Sequence, residues 1–291
     1  MTGATGRVGP VVVEQLNGHG YRTVGVSRRG AGEDHPADRV LRADCTDPGD
    51  VYGALAAAEP DAVVHLGTLS TPRHDPGHVV FESQVRSTYL VGEAAASLGV
   101  DRVVVASSLA ALGTTFQPEP VRVASLPVDE SHPLTAHDPY GLGKRAAETA
   151  ADGLARRPDG PDVVSLRFPT LFDDERLTTV LRGTDRTLDG LREAGLFEVA
   201  RDTLFAWLHV DDAAAAVRRA IEADVTGHEP LWLSAADTTV DEPSADLAAE
   251  VFPEAEVRGP LAGRESLLDA SRARALLDWT PSVRRVTEEG D

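Results

Sequence analysis

Three short apolar runs restrict the fold of this chain more than anything else in it: Ala62 to Leu66, Arg102 to Ala106 and Val163 to Phe168. Each is rich in valine and nearly continuous rather than alternating, which is the pattern of a parallel strand covered on both faces. A helical stretch at about Pro48 to Ala58 precedes them, and others at Val80 to Leu98 and around Tyr140 separate them. Two further strands are expected at Arg22 to Ser27 and Arg39 to Ala43. Strands alternating with helices predict an α/β, doubly wound parallel sheet. Its ligands belong at the carboxyl ends of the strands. Those ends fall at Ser27, Asp44, Gly67 and Ser108.

The chain opens on Thr2-Gly3-Ala4-Thr5-Gly6-Arg7-Val8-Gly9, followed by a helical run from Pro10 to about Asn17. Glycines at this spacing let backbone approach a pyrophosphate, and the next helix offers free N–H groups to an anion. The strand ending at Ser27 lies where such a fold meets the adenosine ribose. An acidic residue there would hold the ribose hydroxyls, and this chain has Ser27-Arg28-Arg29 instead, which suits a 2′-phosphate and hence NADP over NAD. A glycine turn of this kind should follow a strand, yet only Met1 precedes Thr2. In the strand order 3-2-1-4-5-6 the first strand is central. It reads as truncated, and the expectation is a native chain with about five to eight further apolar residues upstream. Without them, residues 22–27 and 62–66 should face an empty slot.

Of the 28 lysine and arginine residues, Lys144 is the sole lysine, and it follows Tyr140 by four positions. On a helix the two share a face. Arginine holds its proton at any accessible pH, whereas a lysine ammonium takes part in proton traffic. An ammonium beside a phenol should lower the phenol's pKa from about 10 and make it an acid/base near neutrality.

Taken together, the glycine turn, Asp44-Cys45, His65-Leu66-Gly67, Ser107-Ser108, Tyr140 through Lys144 and His209-Val210-Asp211-Asp212 resemble the extended short-chain dehydrogenase/reductase family, the NAD-dependent epimerase/dehydratase group. The resemblance runs over almost the whole chain. It implies a Rossmann-like domain over residues 1–168, with 204–223 returning to it, and a smaller α/β substrate lobe over 169–291. It implies cofactor contacts from Gly3, Thr5, Gly6, Arg7, Val8, Gly9, Ser27, Arg28, Arg29, Asp44 (at the adenine), Cys45, Leu66, Gly67 and Lys144 (at the nicotinamide ribose). The catalytic set would be Ser108, Tyr140 and Lys144: Tyr140 moves a proton at a substrate hydroxyl and Ser108 hydrogen-bonds the same oxygen while hydride passes to or from the ring.

The implied substrate is a sugar or sugar acid, as in the sugar and uronate dehydrogenases of the family, with Thr68, Ser70 and Arg201 as candidate contacts. The alternatives are an epimerase of the UDP-glucose 4-epimerase kind and a dinucleotide-sensing binding protein. The sequence departs from nucleotide-sugar members in having Phe168-Pro169-Thr170 after Arg167, where they carry an asparagine, and Phe205 where they carry a phosphate-binding arginine. A dimer is implied through two helices, here 80–98 and 140–156.

The rest of the composition bounds the partners. A formal net charge of −19 disfavours nucleic acid and anionic membranes and suits high salt, where self-repulsion is screened. One cysteine, Cys45, excludes an intrachain disulfide framework, and no metal site is expected. No apolar run approaches the length of a membrane span, so a cytoplasmic protein is expected. Strands are further expected at 204–210 and 231–234, and helices from a cap at Asp211 or Asp212 to about Ala223, at 243–251 and at 264–277, with residues after Pro281 frayed.

Overall fold

The structure is a computed structural model, and it describes residues 1–69, 75–115, 117 and 120–285. Helix α1 (Gly9–Gly18) follows the glycine turn, and β1 (Val24–Ser27) pairs in parallel with β2 (Arg39–Arg42). Helix α2 (Pro48–Ala58) starts where expected, because Pro48 sits in its first turn and the Asp47 side chain accepts from the Asp50 N–H. Then come β3 (Ala62–His65), α3 (Gly77–Ser97) and β4 (Arg102–Ser108). After a 3-10 turn at Leu109–Leu112 and the short β5 (Ser125–Leu126), α4 (Pro139–Ala155) leads to β6 (Asp162–Phe168) and β7 (Thr170–Phe172).

Three short helices, α5 (Asp174–Arg176), α6 (Leu188–Glu193) and α7 (Phe197–Asp202), surround a six-residue π-helical stretch at Leu177–Arg182. The chain ends with β8 (Trp207–His209), α8 (Val210–Glu222), β9 (His228–Trp232), α9 (Ser244–Val251), β10 (Glu256–Val257) and α10 (Ser271–Leu277).

Strands β3, β4, β6 and β9 form one parallel sheet in that order. The link to β1–β2 is Thr2, which bridges Val26 on one side and His65 on the other. Its N–H bonds to Val64 at 2.9 Å, the Gly3 N–H to Val26 at 3.1 Å, and Val26 in turn to Met1 at 2.7 Å. The slot expected to be empty is therefore filled at its carboxyl end by Met1 to Gly3. Beneath Met1 and Thr2 lies a cavity of about 470 Å³ lined by Leu16, Val24, Leu55, Val63 and Ile221 among others.

Both faces of the sheet are covered, as the valine runs require. Val104, Val164 and Leu166 face α1, α8 and α10 in one buried cluster. Val103, Val105 and Val163 face α2, α3 and α4 in another. A third core joins Leu109 to Val128 with residues 188–268, so the loop after β4 packs with the C-terminal elements, and β5 pairs with β10. This third core sits beyond the carboxyl ends of β4 and β6.

Four local expectations fail, each for a physical reason. The strand at 204–210 shrinks to Trp207–His209 because Leu204 and Phe205 turn with φ of 54° and 53°. The cap of α8 is the His209 ring, which accepts from the Asp211 N–H; Asp212 instead accepts from Ser282 and Val283. The helix at 264–277 begins only at Ser271, since Glu265 and Leu268 form bridges to Asp237 and Val128. The segment after Pro281 is anchored as far as Arg285, a buried residue whose N–H bonds to Asp237 and whose guanidinium reaches Val240 and Asp241. Among the described residues no helix is long and apolar enough to cross a membrane.

Candidate active site

The carboxyl edge of the sheet holds a cleft of about 840 Å³. Gly3, Thr5, Gly6, Ser27, Arg28, Arg29, Asp44, Cys45, Leu66, Gly67 and Thr68 all line it, so most of the candidate cofactor residues come together. The close approach depends on missing side chains. Gly3 has φ +70°, and a Cβ there would lie 2.8 Å from the Gly67 nitrogen; a Cβ on Gly9 would lie 2.2 Å from the Ala4 carbonyl oxygen. Helix α1 begins without a side-chain cap and without an acidic residue in its first turn, which leaves its N–H groups available to an anion. The Thr5 and Ser27 hydroxyls bond at 2.7 Å across the mouth. Arg7, Val8, Gly9 and Lys144 do not line the cleft: Arg7 bonds to the Leu171 carbonyl, Val8 packs on the core under the sheet and Gly9 lies against the Ala4 carbonyl.

A directional chain of hydrogen bonds fixes this turn. Ser87 Oγ donates to the Ser83 carbonyl, so it accepts from His65 Nε2 at 3.0 Å. That leaves His65 Nδ1 to accept from Thr2 Oγ1 at 2.7 Å, and Thr2 Oγ1 to accept from the Gly67 N–H at 3.1 Å. Burial holds the imidazole neutral, with its pKa lowered to about 3. His65 is thus structural, as is His209. Cys45 is equally quiet, because burial raises its thiol to about 11.

Beyond Thr68 lies the second group of candidates. Helix α4 is started by Asp138, whose carboxylate accepts from the Tyr140 and Gly141 N–H groups. One turn on, Lys144 is buried, and its ammonium donates to the Ala106 carbonyl at 2.6 Å and to Thr68 Oγ1 at 3.3 Å. The Nζ lies 5.7 Å from the centre of the Tyr140 ring. Burial pulls Lys144 down to about 7, against the opposing pull of Glu148. Tyr140 departs from expectation. Burial raises its phenol, a hydrogen bond with Ser108 partly offsets this, and the nearby Asp138 raises it again. The lysine ammonium is directed at a carbonyl, so in this state the phenol keeps its proton and is poised as a donor.

Arg201 is elsewhere. It lies in α7, paired with Asp202 at 2.8 Å, and lines a separate pocket of about 200 Å³ with Arg122, Arg192, Phe197 and Glu250. Ser70 lies outside the described residues. The sequence reading missed Glu82, Ser83 and Arg86 of α3, which line the cofactor cleft. Their signal was faint, a helix face read only as a dimer surface.

Residues 1–231 match the NAD dependent epimerase/dehydratase family. The chain belongs to that family. It is accordingly an enzyme of nicotinamide-dinucleotide oxidoreduction, and the cleft fits such a cofactor: glycines where a Cβ would collide, an uncapped helix start and a rim of hydroxyls and arginines. Among its relatives is a 3-diazoavenalumate denitrifying reductase from a Streptomyces species, 32% identical over all of this chain and 90% of that protein. Another is an L-arabinose 1-dehydrogenase (NAD(P)(+)) from Haloferax volcanii, 30% identical over 77% of this chain and 82% of its own length. The solved structure of MoeE5 in complex with UDP-glucuronic acid and NAD has the same fold, with a TM-score of 0.69 at 24% identity over 97% of this chain and 93% of that one.

The close approach at Gly3 gives a direct test. Gly3→Ala forces a left-handed alanine, a cost of about 1–2 kcal/mol, before any displacement of Gly67. Dinucleotide affinity, read by NADPH fluorescence, should fall at least about tenfold; unchanged affinity would mean that the turn does not touch the cofactor.

Proposed function

We propose that this family member is a dehydrogenase or reductase acting at a hydroxyl-bearing carbon of a sugar or sugar acid, with Ser108, Tyr140 and Lys144 as its catalytic residues. The observation that carries the reading is their convergence. The end of β4 and one face of α4 meet where Lys144 reaches the Ala106 carbonyl and Thr68, and Thr68 in turn lines the glycine-rimmed cleft. The relative named as an arabinose dehydrogenase supports a sugar.

A bound dinucleotide supplies or accepts the hydride. In the reductive direction the protonated Tyr140 gives its proton to the substrate oxygen, and Ser108 hydrogen-bonds that oxygen as charge develops on it. Lys144 would hold the nicotinamide ribose hydroxyls and, with its Nζ 5.7 Å from the Tyr140 ring centre, would stabilise the phenolate left behind. Substrate contact from Thr68 fits its place on the loop after β3, beside the Lys144 ammonium; Ser70 is kept as a candidate from the sequence. Arg201 is a weaker candidate, given its separate pocket. An epimerase would run the same chemistry and return the hydride, but Phe205 in place of the phosphate-binding arginine favours a substrate without a nucleotide.

The deciding experiment is a screen of sugars, sugar acids and sugar nucleotides at high salt with NAD and with NADP, followed by absorbance of the reduced nicotinamide. Net reduction that scales with one substrate establishes the dehydrogenase, whereas epimer formation without net reduction establishes the alternative. On that substrate, Tyr140→Phe should abolish nearly all turnover with dinucleotide binding intact. Ser108→Ala should cost on the order of 10² in rate. Lys144→Arg should fail despite its kept charge, because a guanidinium cannot place the same donors in a buried site. Wild-type rates in Lys144→Arg would remove the lysine from the mechanism.

Arg28 and Arg29 at the mouth of the cleft, with no acidic residue at the end of β1, favour NADP. Titrating both cofactors should give the tighter constant for NADP; equal or tighter NAD binding refutes this preference.

We further infer a cytoplasmic, salt-adapted homodimer. Phe81 and Tyr89 of α3 and Leu142 of α4 are large apolar side chains left more than a third exposed on the paired helices. Light scattering in high salt should return the dimer mass, and a monomer would contradict it.

A further inference from the structure

Each residue at the end of β4 meets a different side chain or turn of α4. The Ala106 carbonyl takes the Lys144 ammonium at 2.6 Å, Ser108 lies close enough to the Tyr140 phenol to hold its pKa down, and between them Ser107 Oγ donates to Glu148 Oε1 at 2.5 Å. Tyr140, Lys144 and Glu148 follow one another at intervals of four, so they stand in a row on one helix face. Glu148 is 6% exposed and Lys144 3%. The carboxylate is gripped from the other side by Arg167 of β6, with Nε to Oε1 at 2.9 Å and Nη2 to Oε2 at 2.7 Å. The guanidinium lies over the Trp232 ring of β9 at 4.7 Å. None of this cluster lines the cofactor cleft, and none of it serves the roles assigned to Ser108, Tyr140 or Lys144.

A buried ion pair is costly to assemble, because both charges leave water. Here it places a fixed negative charge one helical turn from the buried lysine and leaves the Arg167 Nη1 without a partner. We propose that Glu148 is a positioning residue: oriented by Arg167 and Ser107, it keeps Lys144 charged and aligned for the nicotinamide ribose and for Tyr140. This rests on the catalytic reading of Tyr140 and Lys144.

The groups that bear on Lys144 can be named element by element. Its own helix supplies Tyr140 and Glu148, and β3 supplies His65, which is neutral. Strand β4 supplies only a carbonyl there, and the α3 residues that pack on the intervening Gly143, Gln84 and Phe81, are uncharged. Arg167 of β6 and His228 of β9 act on Glu148. Among the described residues, Glu148 is thus the one carboxylate that offsets the desolvation of this ammonium. Removing its charge must move the lysine's titration to lower pH.

The lone lysine makes this measurable without any substrate. Protein grown on ¹³C-lysine gives a single side-chain Cε resonance, whose pH dependence titrates Lys144 directly. Glu148→Gln, which keeps the shape of the side chain, should lower that midpoint by about one pH unit or more. Glu148→Asp should stay nearer the wild type, because the charge remains. Should Glu148→Gln unfold with Arg167 left as a lone buried cation, the double variant Glu148→Gln with Arg167→Met removes both charges and carries the test, again with a lowered midpoint. At neutral pH, turnover of the folded variant should drop at least about tenfold while dinucleotide binding changes less.

A Lys144 midpoint unchanged in both the single and the double variant overturns the proposal. Tyr140→Phe, assayed alongside, separates the two failures. If it turns over at the wild-type rate, the catalytic reading is wrong, and the lysine titration still decides whether Glu148 sets the charge.

Discussion

The cleft at the carboxyl edge of the sheet depends on three residues, Met1 to Gly3, which join two sheets that share no other strand pairing among the described residues. Thr2 bridges β1 and β3 through its backbone, and its hydroxyl passes the tie on to Gly67 and His65. Because that side chain is buried and its hydrogen-bond chain has one possible direction, the Gly3 and Gly67 backbones are held within the distance a single methyl group would occupy. The cleft exists because these two turns are locked together. A buried polar chain of this kind is stabilising only when every member is satisfied, and from Gly67 to Ser83 each member has its partner.

The second constraint is charge in a dry place. An acidic chain with arginine at almost every basic position keeps its surface cations solvated or in exposed pairs such as Arg156–Asp152, which are worth little each. Around α4 the same residue types are buried and few: one lysine, one glutamate and one arginine beneath the tyrosine. Desolvation there pushes the lysine and the phenol toward their neutral forms, so the local carboxylate and the Ser108 hydroxyl decide how far each is held from that limit. The pairing of Lys144 with a carbonyl rather than with the phenol shows why spacing alone misjudged the tyrosine. Sharing a helix face does not fix where a flexible ammonium points.

Much of the fold was legible because burial on both faces leaves a strong trace in sequence. The valine runs at 62–66, 102–106 and 163–168 fell on β3, β4 and β6, and Pro48 with Asp47 fixed the start of α2. Gly3, Gly6, Ser27 to Arg29, Asp44 and Thr68 fell on one cleft because each follows the end of a strand of the same sheet. What stayed hidden depends on contacts distant in sequence. Nothing near Leu204 announces two consecutive buried left-handed residues. Asp212 has the composition of a helix cap, yet it is claimed by Ser282 and Val283. Glu148 was visible in the four-residue series that begins at Tyr140, but its meaning comes from Arg167 and Ser107 on two other strands.

On the proposed function, this cleft and the row on α4 carry out hydride transfer at a hydroxyl-bearing carbon, with Tyr140 handling the proton. The most direct measurement uses the substrate found by screening, deuterated at the carbon to be oxidised, with mass analysis of the released dinucleotide. Deuterium should appear on the nicotinamide ring, with a slowed rate, in wild-type protein and not in Tyr140→Phe. Deuterium lost to water, or product formed with an unlabelled dinucleotide, would contradict it.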